Sequence, residues 1–241
     1  MSAPVSTGVA FRRIREGNAF EETVERLLEI VKLGQIREGE RLPPERELAA
    51  SLGVSRVTLR QAIRSVASEG YLESRRGRAG GTFVLPAEMW RRDRRDLRDI
   101  AADMGDELQD ALVLRSVVEP GTAEVAARRP HAKERARQLR DLLAELERVD
   151  VHDYRRLDSR LHIALAGLAG SPSLAAAVAD VRMRLNELLD AIPLLPPNLT
   201  HANAQHERIV AAILDGRPGD ARAAMLEHLE GTAALLRGFL A

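Results

Sequence analysis

Leu42-Pro43-Pro44-Glu45-Arg46-Glu47-Leu48-Ala49, then Gly53-Val54-Ser55-Arg56-Val57-Thr58-Leu59-Arg60-Gln61-Ala62-Ile63, is the stretch that decides the fold of the N-terminal third. Pro43 and Pro44 cannot sit inside a helix but suit the start of one. A short helix is therefore predicted over Glu45 to Ser51, with Leu48 and Ala49 inward. Gly53 makes the turn, and Ser55 is a good N-cap for a helix over Arg56 to Glu69 that stops at Gly70. Leu59, Ala62, Ile63 and Val66 give that helix its apolar face, while Arg56, Thr58 and Arg60 leave its first turn and a half.

Upstream, Val24, Leu27, Leu28 and Val31 recur at helical spacing between Phe20 and Leu33, and Gly34 can end that helix. Residues 1–18 read as a flexible arm. Downstream, Tyr71 to Ser74 and Thr82 to Leu85 read as two short strands joined through Arg75-Arg76-Gly77-Arg78-Ala79-Gly80-Gly81 as a hairpin. Three helices, a tight turn and a hairpin form a winged helix-turn-helix over 19–85. Such a recognition helix places hydroxyl and guanidinium groups in the major groove, where an arginine can bond guanine O6 and N7 together. Arg46, on the helix before it, is placed to grip phosphate.

The charge distribution agrees. The 241 residues carry 36 basic and 36 acidic side chains, but residues 1–85 hold 14 basic against 11 acidic, a net of +3. Between Val54 and Leu85 stand six arginines and two acids, the local basic patch that phosphate contact requires. No run approaches the ~20 apolar residues of a membrane span, Met1 to Ala10 lack signal-peptide character, and there is no cysteine. A cytoplasmic protein without thiolate metal sites or disulfides is expected.

Residues 86–105 form a charged connector, expected to be largely helical. From 106 to 241 helix follows helix, at roughly 106–128, 132–149, 151–169, 171–191, 199–215 and 218–239, with breaks at Pro130, Gly170-Ser171-Pro172, Pro193 to Pro197, and Gly216 to Gly219. The fold class is mainly α: an N-terminal winged helix-turn-helix and a C-terminal all-helical bundle. Asp158 and His162 are four apart and leave one helical face. His206 and His228 sit on two further helices in apolar frames. Three imidazoles and a carboxylate suit Zn²⁺, Ni²⁺, Mn²⁺ or Fe²⁺, with zinc slightly favoured.

Taken in order, these landmarks together with Glu69-Gly70-Tyr71-Leu72 and Gly80-Gly81-Thr82-Phe83-Val84 resemble the GntR family of bacterial regulators. That resemblance implies DNA contact by Arg46, Ser55, Arg56, Thr58 and Arg60, and a wing tip at Arg76-Gly77. The second half resembles the all-helical FCD ligand-binding domain of the FadR subfamily, through Leu114 to Pro120, Asp158-Ser159-Arg160-Leu161-His162, His206 to Ile213 and Ala221 to Leu229. It implies a metal-assisted pocket for a small organic acid effector, with Arg115 as an effector-binding position; Asn203, one turn before His206, is expected to reach the same pocket as a second effector-binding position. The expected function is a repressor, a homodimer on a near-palindromic double-stranded operator. An alternative is a regulator for which the metal itself is the signal. A metallohydrolase is disfavoured: after His206-Glu207 the second histidine of His-Glu-x-x-His is replaced by Val210, and no nucleophile elbow appears.

Overall fold

The computed structural model describes residues 17–77, 80–89 and 94–240. Most of the expected arm, residues 1–16, lies outside them, as do Arg78 of the hairpin and residues 90–93 of the connector. The chain divides into two compact units, residues 1–93 and 94–241.

In the first unit, α1 (Ala19–Lys32), α2 (Glu45–Leu52) and α3 (Arg56–Ser68) precede an antiparallel hairpin of β1 (Leu72–Arg75) and β2 (Gly81–Val84). Leu72 pairs with Val84 and Arg75 with Gly81. Val24, Leu27 and Leu28 of α1, Leu48 and Leu52 of α2, and Leu59, Ala62 and Val66 of α3 are buried together with Leu72 and Val84. The expected apolar faces are thus the core. Gly53 ends α2 at φ 73°, a left-handed conformation that an L side chain resists, and this turns the chain directly into α3. Ser55 caps α3 by accepting a hydrogen bond from the Thr58 amide at 3.0 Å.

The second unit is helical throughout: α4 (Arg94–Ala127), α5 (Lys133–Arg148), α6 (Val151–Leu168), α7 (Pro172–Ala191), α8 (Pro196–Leu214) and α9 (Pro218–Leu240). Leu157, Leu161 and Leu165 of α6 pack with Ala126 of α4, Ile209 and Ile213 of α8, and Met225 of α9. Two boundaries differ from expectation. The helix expected from 106 begins at Arg94, because Gly105 is tolerated in a helix interior at about 1 kcal/mol and does not break it. The helix expected from 199 begins at Pro196, since proline at the first helical positions lacks only an amide with no intrahelical partner. Pro120 lies inside α4, where no break is made.

No described helix is long and apolar enough to cross a membrane.

Candidate functional site

Three helices deliver the four donors at the buried polar centre of the second unit. Asp158 and His162 come from α6, His206 from α8 and His228 from α9, and one donor atom of each lies within 4.8 Å of all the others. His206 Nε2 stands 3.1 Å from Asp158 Oδ1 and 3.2 Å from His228 Nε2, and His162 Nε2 is 3.8 Å from Asp158 Oδ1. Ligand atoms about 2.1 Å from one cation stand about 3–4 Å apart, so the spacing fits a single ion.

The surrounding groups orient the rings. His162 Nδ1 meets the Glu119 carboxylate, and so serves as the N–H donor, which leaves its Nε2 unprotonated. That Nε2 is buried and has no hydrogen-bond partner. His228 Nδ1 lies 3.1 Å from Gln205 Oε1 and donates to it, again freeing Nε2. A buried imidazole lone pair with no partner is costly, and a cation among the facing nitrogens and the Asp158 carboxylate would satisfy it. The donor set therefore fits a divalent transition metal. Such an ion would supply Lewis acidity and open positions for an oxygen ligand.

Sequence reading missed two parts of this network. Glu119 links Arg115 to His162: Arg115 Nε donates to its Oε1 at 2.8 Å while Oε2 accepts from the imidazole. Arg182 of α7, only 1% exposed, donates to Asp158 Oδ2 and to Ser159 Oγ. Glu119 stood in the quoted Leu114–Pro120 run and its i, i+4 spacing from Arg115 was legible. Arg182 had no sequence signal among so many arginines.

Burial would raise the Glu119 carboxyl, but His162 and Arg115 hold it well below the ordinary range. Asp158 is likewise held down against burial by Arg182 and His162. Burial depresses His162, with Glu119 only partly offsetting it, and depresses His228 further with the help of His206 and His162. The unfolded chain takes up protons on these histidines below their ordinary value of about 6.5 while the folded chain refuses them, so stability falls as pH drops through that value. The depressed carboxylates add a loss in the same direction at lower pH, since their stabilisation is present above their unfolded values and lost below. Chelator-treated protein is thus expected to melt lower at pH 5.5 than at pH 7.5. Equal melting temperatures by scanning fluorimetry at the two values would contradict the buried, neutral histidines.

Beside the cluster, a cavity of about 50 Å³ is lined by Tyr154, Arg155, Asp158, Asn198, Gln205, His228 and Thr232 among others. Asp158 and His228 thus belong to both the donor cluster and the cavity wall. Arg115 is buried 1% exposed behind Glu119, with its Nη1 unpartnered, and is not part of that wall. Asn203 is half-buried; its Oδ1 accepts from the Tyr154 hydroxyl at 2.8 Å, so it braces a wall residue without lining the cavity.

In the first unit, Arg46, Ser55, Arg56 and Arg60 are exposed and Thr58 is half-buried. Ser55 and Thr58 hydroxyls lie 2.8 Å apart. Arg60 Nε donates to Glu45 Oε2 at 2.6 Å, an arrangement the sequence did not announce. Arg76 and Gly77 are exposed beyond β1, Gly77 at φ 103°. All seven lie on the surface of α2, α3 and the hairpin loop.

A winged helix-turn-helix followed by a helical domain with a buried donor cluster defines a one-chain transcription regulator. The profile described as "Bacterial regulatory proteins, gntR family" matches residues 20–84, and that described as "FCD domain" matches residues 110–231. The chain belongs to the GntR family, with the FCD architecture that fits its FadR-like subfamily. It is 32% identical over 235 residues to RmpR of Mycobacterium gastri, described as a candidate HTH-type transcriptional regulator, across 91% of this chain and 80% of that one. It is also 32% identical over 232 residues to a candidate L-lactate dehydrogenase operon regulatory protein of Escherichia coli (strain K12), across 91% and 86%. Among solved structures it aligns with the Streptococcus agalactiae GntR at 28% identity and TM-score 0.47, over 88% of this chain and 98% of that one. These matched domains and relatives are regulators, and the chain is a transcriptional regulator and not an enzyme.

Proposed function

We propose that the protein is an effector-responsive repressor. It binds a near-palindromic operator as a homodimer through Arg46, Ser55, Arg56, Thr58, Arg60, Arg76 and Gly77, in the cytoplasm where its DNA lies. A small organic acid, held at a divalent metal on Asp158, His162, His206 and His228, shifts the population of its DNA-binding arrangement. Zinc is slightly favoured over nickel, manganese and iron.

The observation that carries the reading is the shared wall: Asp158 and His228 belong both to the convergent donor cluster and to the adjoining cavity. Charge supports an acid as the ligand. Arg115 and Arg182 are balanced by Glu119 and Asp158, so a divalent cation leaves two positive charges in a buried site, and an anionic ligand offsets them. Arg115 acts in this scheme by setting the Glu119–His162 pair, and Asn203 by bracing Tyr154.

The test is a thermal-shift screen with L-lactate first, suggested by the relative from Escherichia coli, followed by other small hydroxy and keto acids. A rise of several degrees for one acid, lost after chelation and in His206→Ala, is the expected result. Stabilisation by metal alone, with no acid adding to it and operator binding changing on metallation, would instead make the metal the signal.

A further inference from the structure

Val57 stands second in α3, between Arg56 and Thr58, and is 67% exposed. Exposed large hydrophobics are few among the described residues of the first unit: Leu33 and Met89 are the others, and neither lies in α3. The fold gains little from this valine. Two-thirds of it faces water, and a β-branched residue slightly disfavours a helix.

Its position gives it another use. On α3, residues four apart stack along the surface, so Arg56 and Arg60 form one exposed column and Val57 and Gln61 a neighbouring one. Leu59, Ala62 and Ile63 turn the opposite face to the core. The first turn of such a helix is the part that meets base edges. There the arginine column offers donors suited to guanine, and an exposed isopropyl group offers the apolar contact suited to the C5-methyl of thymine. Gln61, one turn on in the same column, offers the amide that suits adenine.

We infer that Val57 is a specificity-determining residue that reads a thymine methyl in each operator half-site. This rests on the operator-binding reading above. Its side chain is free to do so because its rotamer is nearly fixed in a helix and little ordering is lost on contact.

The test begins by selecting duplexes from a random pool with the wild-type protein. Thymines of the selected site are then replaced one at a time by deoxyuridine, which removes only the methyl group. The wild type is expected to bind about three- to tenfold more weakly at one thymine per half-site, the size of one lost apolar group. Val57→Ala should bind the thymine and deoxyuridine duplexes alike at that position, and Val57→Thr, which keeps a methyl, should retain part of the preference. A wild type indifferent to deoxyuridine at every position, or a Val57→Ala protein with the wild-type preference, overturns the inference. Failure of the underlying reading looks different: no sequence is enriched at all. Enrichment that disappears with Arg60→Ala shows that reading to hold whatever Val57 does.

Discussion

Discrimination between operator and scrambled duplex is expected to fall about a hundredfold or more in Arg60→Ala, since each bidentate arginine–guanine contact is worth about 1–3 kcal/mol and a dimer loses two of them. Arg46→Ala should behave differently, weakening all sequences evenly and flattening the salt dependence by about one unit of slope per phosphate contact. In the free protein Arg60 is engaged by Glu45 at 2.6 Å, with side-chain exposures of 47% and 38%. A pair that exposed contributes about 0–1 kcal/mol, less than a base contact would offer, so on the proposed reading the guanidinium would leave it for guanine. Competition gel shifts decide the matter. Unchanged selectivity in Arg60→Ala, or sequence-dependent loss in Arg46→Ala, would remove these residues from their assigned roles.

The second large effect concerns Arg182. In Arg182→Met a guanidinium is replaced by an apolar chain, leaving the buried Asp158 carboxylate without its main countercharge. Breaking a buried pair on one side costs about 3–5 kcal/mol, which for a domain of this size lowers the melting temperature by about 10 °C. A metal held at the cluster would supply a second countercharge to the same carboxylate. The deficit should therefore be large in chelator-treated protein and much smaller with zinc added. A Tm loss of equal size in both conditions would show that Arg182 acts by packing and not through Asp158.

The two halves of the chain were unequally legible. In the first, Pro43-Pro44, Gly53 and Ser55 each have one conformational use, and they fix where helices start and stop before packing is considered. In the second, the i, i+4 pair Asp158 and His162 announced a shared face, and the histidines in apolar frames announced their direction. What remained hidden depends on tertiary distance. Arg182 is 24 residues from Asp158, and Glu119 is 43 from His162, separations at which a periodic pattern carries no information. Asn203 was placed correctly on the same helix as His206 but turned to the Tyr154 hydroxyl, a choice between helix faces that spacing of three residues does not settle. The connector was expected to be largely helical, and from Arg94 its helix runs without interruption into the next, through to Ala127.

That long helix has a mechanical consequence. Glu119, the carboxylate that touches His162, is followed at once by Pro120, which removes an intrahelical hydrogen bond from α4 at that point. From Glu119 back to Arg94 the helix is unbroken, about 37 Å at 1.5 Å per residue. It is a stiff shaft, and one end of it carries the carboxylate that touches the imidazole cluster. If the imidazole cluster takes up a metal and ligand as proposed, a small tilt at this end would be carried along the shaft to Arg94, where the second unit begins.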